Sequence, residues 1–186
     1  MRLYELSIPR TQEDAEEILY QSGWTVAGEG AYAQVYQKEN KSYVLKIFHY
    51  SDTAYRDFVK LAVSNPNPHF PKFRGKLIKI NDHYYAVRME KLEKIVDNSQ
   101  LNLVSWIGTY LHYGKMKMYK PLLFKVEKQR YIDEFIHSEQ KLEKTPLLKE
   151  ACDLIINNLL GKHNEDLHSA NVMIRGSTLV LTDPVS

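Results

Sequence analysis

A chain of 186 residues can bury a sizeable core but is short for an enzyme of two full lobes, so one domain with two subdomains is expected. Hydrophobic residues at 44%, charged residues at 26% and the lack of any apolar run near the roughly 20 residues of a membrane span read as an ordinary globular protein. A net charge of +2 gives no argument for specific nucleic-acid binding, the first ten residues lack the apolar core of a signal peptide, and the single cysteine excludes an internal disulfide; a reducing cytoplasm is the expected compartment.

In chain order, Thr11 with Asp14, Ala15, Ile18 and Leu19 predicts a capped helix ahead of the first strand. Three β-like runs follow at Trp24 to Ala27, Gln34 to Gln37 and Ser42 to Phe48, the first leading into a glycine turn and the last two joined by a tight hairpin at Glu39-Asn40-Lys41. Ser51 is placed to cap a helix from Asp52 to about Val63, ended by Asn65-Pro66-Asn67-Pro68. Lys76 to Ile80 and Tyr84 to Met89 fit two more strands turning at Asn81-Asp82. After Glu90 the apolar period becomes helical. Leu101 to Leu111 fits a helix closed by Gly114, Phe124 to about Leu142 a second, and Pro146 to Leu160 a third, with Thr145 as its cap and Gly161 after it. Cys152, in that third apolar pattern, reads as core packing. The basic stretch of Lys115, Lys117, Lys120, Lys125, Lys128 and Arg130 reads as solvated surface. Val172 to Ile174 and Leu179 to Thr182 predict a short hairpin across Arg175-Gly176-Ser177.

That hairpin presents the residues of most chemical interest. Asp166 stands five positions before Asn171, and Asp183 follows at the far end of the hairpin, the spacing at which one carboxylate orients an attacking hydroxyl while an amide and a second carboxylate hold magnesium on nucleotide phosphates. Upstream, Gly28 and Gly30 allow backbone N–H groups to approach phosphate oxygens without an intervening Cβ, with Ala33 where a third glycine is usual. Tyr32 at the loop tip is either an aromatic lid or an exposed turn tyrosine. Lys46 follows on an apolar strand, where an ammonium needs an anionic partner such as phosphate. His168 either contacts the transferring phosphate or hydrogen-bonds its own loop, and as an imidazole near neutrality brings pH sensitivity with it. On this scheme Met89 lies beside adenine, Glu90 and Leu92 offer backbone groups to its edge, and Val35, Val44 and Met173 sandwich the ring. The elements fall in kinase order, predicting an α+β, protein-kinase-like two-lobed fold. Residues 1–92 would form an N-lobe with a five-stranded antiparallel sheet, and 93–186 a reduced helical C-lobe.

The strings Gly28-Glu-Gly-Ala-Tyr-Ala-Gln-Val35, Asp166-Leu-His-Ser-Ala-Asn-Val-Met173 and Leu181-Thr-Asp-Pro-Val-Ser186 resemble the early-gene serine/threonine protein kinases of T-seven-type bacteriophages. The likeness runs from about Gly23 to Ser186 and is weak between Val96 and Leu147. It implies a phage or prophage kinase using ATP and Mg2+ on host proteins, with Lys46 on the phosphates, Asp166 as catalytic base and Asn171 and Asp183 as magnesium ligands.

Departures from the wider kinase pattern keep alternatives open. Asn164-Glu165-Asp166 replaces His-Arg-Asp, so an arginine that reads an activation-loop phosphate is missing. Asp183-Pro184-Val185 replaces Asp-Phe-Gly, no activation segment follows Asp183, and Asp57 is the nearest, though short, carboxylate candidate to pair with Lys46. A pseudokinase or nucleotide-dependent interaction module is one alternative. A small-molecule phosphotransferase is another, since Asp-Leu-His-x-x-Asn is similar to the Brenner-type loop of aminoglycoside and choline kinases.

Overall fold

The computed structural model of the chain describes residues 12–126 and 129–186; Thr11, expected as the first cap, lies outside them. Two compact units emerge: the residues up to Thr53 with Lys72–Lys91, and Ala54–Pro71 with Leu92–Ser186.

The first unit begins with helix α1 (Gln12–Gln21). It ends in a Schellman motif, Trp24 N–H donating to Leu19 O and Gly23 N–H to Tyr20 O, both at 2.9 Å, with Gly23 at φ +76°, a conformation that favours glycine. Trp24 is consumed by that cap, so strand β1 starts one residue later than its apolar pattern implied, at Thr25–Glu29. With β2 (Ala33–Gln37), β3 (Tyr43–His49), β4 (Phe73–Lys79) and β5 (Tyr84–Glu90) it forms an antiparallel sheet of order β1-β2-β3-β5-β4. The five expected strands are all present. Asn40 turns the β2–β3 hairpin at φ 62°, and Asn81 Oδ1 accepts from the amides of His83 and Tyr84 to make the β4–β5 turn.

Strand alternation divides this sheet into two faces. Tyr36, Leu45, Ile47 and Ala86 pack with Leu19 and Trp24 in one apolar cluster, so α1 covers that side. Each large side chain buried there contributes about 1.5–3 kcal/mol. Val35, Val44, Lys46 and Met89 belong to the other face.

The second unit holds helix α2 (Thr53–Ser64), which the sequence reading groups with the sheet. It starts at Thr53, one residue after the expected Asp52, and the Ser51 hydroxyl lies 2.6 Å from His49 Nδ1. Helix α3 runs from Asn98 to Tyr119, capped by Asp97 and passing through Gly114 without ending there. It stops at Lys120 (φ −136°, ψ 53°) because Pro121 follows, and a residue before proline is driven out of helical geometry. The expected helix from Phe124 to about Leu142 falls on α4 (Pro121–Val126) and α5 (Gln129–Glu143), with residues 127–128 outside the described ones. Helix α6 (Pro146–Asn158) carries the fully buried Cys152, whose thiol pKa burial pushes up, in keeping with a packing role. The unit closes with a sheet of β6 (Glu93–Lys94), β7 (Val172–Arg175) and β8 (Thr178–Leu181), Gly176 turning the β7–β8 hairpin at φ 59°. The predicted hairpin is thus present; β6 is an addition. Among the described residues no helix is long and apolar enough to cross a membrane.

Candidate active site

The β7–β8 hairpin brings Asn171 and Asp183 to one end. Asn171 O accepts from Thr182 N–H and Thr182 Oγ1, both at 2.9 Å, and from Asp183 N–H at 3.4 Å. Asn171 lies in a short 3-10 turn (Ser169–Asn171), and its Nδ2 reaches back to Asp166 O at 2.7 Å and Asp166 Oδ2 at 3.4 Å. Asp166 N–H in turn donates to Pro184 O at 3.0 Å. Asp166, Asn171 and Asp183 are therefore assembled by a closed ring of main-chain and amide bonds within the second unit.

Asp166 keeps 45% of its side chain exposed, so its carboxylate faces solvent while its backbone is fixed. His168 Nδ1 accepts from Ala170 N–H at 3.3 Å, capping the 3-10 turn, and its Nε2 lies 3.9 Å from Asp166 Oδ1. Met173 pairs with Lys94, and the buried Leu92 directly precedes β6.

The remaining candidates lie in the first unit. Register pairs Gly28 with Val35, Val35 with Lys46 and Lys46 with Val87, and Val44 with Met89, so Val35, Val44, Lys46 and Met89 share the face turned away from α1. Lys46 is buried on this face. Glu90 Oε1 accepts from Lys72 N–H at 2.7 Å, while its own N–H bonds Lys72 O at 3.0 Å. Gly30 N–H donates to Ala33 O at 2.8 Å to close the glycine turn, whose tip residue Tyr32 is 66% exposed. Neither Gly28 nor Gly30 has positive φ, and a Cβ on either would meet its nearest neighbour only at 4.0 and 3.8 Å. The turn itself therefore does not require glycine at these positions. A depression of about 380 Å³ beside the turn, lined by Gly30, Tyr32, Ala33, Ile47, His49 and Tyr84 among others, opens on the α1 side of the sheet.

Asp57, considered as a partner for Lys46, is engaged inside the second unit by Lys60 Nζ at 3.1 Å and His163 Nε2 at 3.3 Å. Burial alone would raise its pKa; the hydrogen bonds from Lys60 and His163 outweigh that and leave it below the ordinary carboxylate value. Sequence reasoning also missed the contacts of Glu165, whose oxygens meet His112 Nδ1 at 2.6 Å and Lys115 Nζ at 3.3 Å. Burial raises its pKa, but the His112 hydrogen bond and the Lys115 charge help to turn the net shift downward. Lys115, read from sequence as solvated, is an internal tether with 17% side-chain exposure. The available signal was the one-turn spacing of His112 and Lys115; their target could not be read from it.

No family model matches the chain, and no curated protein is significantly similar to it. Among solved structures, the streptomycin–ATP ternary complex of APH(2'')-IIa aligns at 15% identity over 96% of this chain and 73% of that one, with a TM-score of 0.36. ADP-bound aminoglycoside phosphotransferase APH(2'')-Ib aligns at 16% identity over 94% and 72%, with a TM-score of 0.35. Overlaps this loose decide nothing about activity.

Proposed function

We propose that the chain is an ATP-dependent phosphotransferase with a protein-kinase-like catalytic loop, acting on serine or threonine hydroxyls of a bacterial host's proteins in the cytoplasm. The observation that carries this reading is the bonded ring of Asp166, Asn171, Thr182, Asp183 and Pro184. It turns a sequence spacing into one constellation with an exposed carboxylate. The phage-kinase resemblance of the same strings supports a host protein as acceptor.

The donor set fits magnesium. Among the described residues no three His, Cys, Asp or Glu side chains converge on a metal site of their own. Magnesium asks for less, because one or two protein ligands plus phosphate oxygens and water complete its shell. With Asn171 Nδ2 committed to Asp166, its Oδ1 is the atom for a cation, alongside the Asp183 carboxylate. The space over Gly28 and Gly30, which a Cβ would occupy without clash inside the chain, fits a phosphate approaching the backbone.

Bound magnesium–ATP supplies a transferable phosphoryl group with part of its charge neutralised. The chain's share is then positional: Asp166 accepts the hydroxyl proton and aims its oxygen, Lys46 neutralises phosphate charge, and Val35, Val44 and Met89 offer an apolar face to the base. A positioned base of this kind contributes about 10²–10⁴-fold in rate. Incubation of host lysate with radiolabelled ATP and magnesium tests the proposal, comparing wild type with Asp166→Ala. Labelled protein bands that vanish in the variant are expected; equal labelling with both proteins, or none with either, would refute it. Label appearing only in metabolites would move the acceptor to a small molecule.

A further inference from the structure

Immediately before Asp166 the chain is fastened to α3. Glu165 Oε1 accepts from His112 Nδ1 at 2.6 Å and Oε2 from Lys115 Nζ at 3.3 Å. Lys115 also donates to Asn164 Oδ1 at 2.9 Å and His163 O at 3.2 Å. On the other flank of Asp166, a Cβ on Gly108 would stand 3.8 Å from Leu167 O, so α3 runs beside the loop on both sides of the aspartate. The Glu165 backbone is itself bridged to Val185.

Both oxygens of one carboxylate are thus taken by donors one helical turn apart on the same rigid element. A single ion pair near the surface contributes little to stability. Two donors on one carboxylate do something different: they tie the side chain next to Asp166 to α3 at both of its oxygens.

We propose that Glu165 is a positioning residue for phosphoryl transfer, acting with His112 and Lys115 as a clamp that holds the Asp166 carboxylate in line with the acceptor hydroxyl. The role rests on the phosphotransferase reading above. Misplacement of a catalytic group by about 1 Å costs on the order of 10²-fold in rate, so the clamp has a large effect to control.

The test joins two readouts, amide hydrogen exchange of the 163–168 segment and steady-state transfer with magnesium–ATP, on wild type, Glu165→Gln, Lys115→Met and Lys115→Arg. Expected for Glu165→Gln and Lys115→Met are faster exchange confined to 163–168, with the 172–181 hairpin unchanged, and a kcat lowered roughly 10- to 100-fold at unchanged KM for ATP. Lys115→Arg, which keeps charge and donors, should restore both. Unchanged exchange, a fall in kcat that Lys115→Arg shares, or a rise in KM at constant kcat would overturn the clamp. If Glu165→Gln does not fold, Lys115→Met carries the comparison. Wild type that transfers no phosphate would refute the phosphotransferase reading instead, and the exchange arm would still decide whether the tether exists.

Discussion

Gly114 offers a stability experiment whose outcome follows from one contact. It lies inside α3, and a Cβ built there would stand 2.5 Å from Ile156 Cδ1 and 3.4 Å from Ile156 Cγ1. Replacing glycine by alanine in a helix gains about 1 kcal/mol in backbone propensity. Overpacking against the buried Ile156 costs about 1–3 kcal/mol, so Gly114→Ala should be neutral to destabilising by about 2 kcal/mol. Ile156→Val alone removes Cδ1 and costs about 0.5–1.5 kcal/mol. In the Ile156→Val background the 2.5 Å contact is gone, the next is at 3.4 Å, and Gly114→Ala should become stabilising by up to about 1 kcal/mol. The double-mutant cycle therefore predicts a favourable coupling of about 1–3 kcal/mol. Urea denaturation followed by circular dichroism, with the slope checked for constancy, measures all four corners. Additivity within about 0.5 kcal/mol would refute close packing of α3 on α6 as the reason for this glycine.

The glycine turn should separate binding from stability: Gly28→Ala and Gly30→Ala, which meet only ordinary contacts, are expected to unfold within about 0.5 kcal/mol of wild type while KM for ATP rises several-fold. A large stability loss with unchanged KM would contradict the phosphate-cradle role. Asp183→Asn should abolish magnesium-dependent transfer, and full retained activity would remove Asp183 from the proposed metal site. Asp57 has a folded pKa held below the ordinary 3.8, so its pairing stabilises the fold above that value and the contribution is lost as pH falls through the folded pKa. Asp57→Asn should accordingly be less stable than wild type at pH 7, with the gap closing in acid below about pH 3.8; a gap constant down to pH 2 would argue against the Lys60–His163 pairing.

Local chemistry was legible where neighbours in sequence are neighbours in space. The strands of the large sheet announce themselves by alternation and by turn residues such as Asn40 and Asn81, and Asp166 and Asn171 are joined by a bond spanning five residues. Gly114 misled because a glycine after an apolar helical run has two readings, a helix stop or a close approach, and only Ile156 on α6 selects the second. Strand β6 is two residues long, too short for any period, and exists because Glu93 and Lys94 pair with Ile174 and Met173. The Glu165 clamp joins side chains about fifty positions apart, beyond any pattern of local spacing.

Glu165, at the position where the wider kinase pattern carries arginine, acquires a physical meaning from these contacts. An arginine at that position serves control by reading a phosphate placed elsewhere on the chain. Glu165 instead takes donors that are always present on α3, and its backbone joins a short ladder in which Asn164 and Ser186 exchange hydrogen bonds at 2.8 and 3.0 Å and Asp166 bonds Pro184. Val185, in the middle of that ladder, is 2% exposed, so the stretch after Asp183 is packed where a glycine-hinged segment would be free to swing. Both acids of the proposed site are thereby set by main-chain bonding that no added phosphate is needed to complete. If the chain transfers phosphoryl groups, the geometry of its loop should be the same before and after any modification, and activity of freshly translated protein should match that of protein treated with phosphatase.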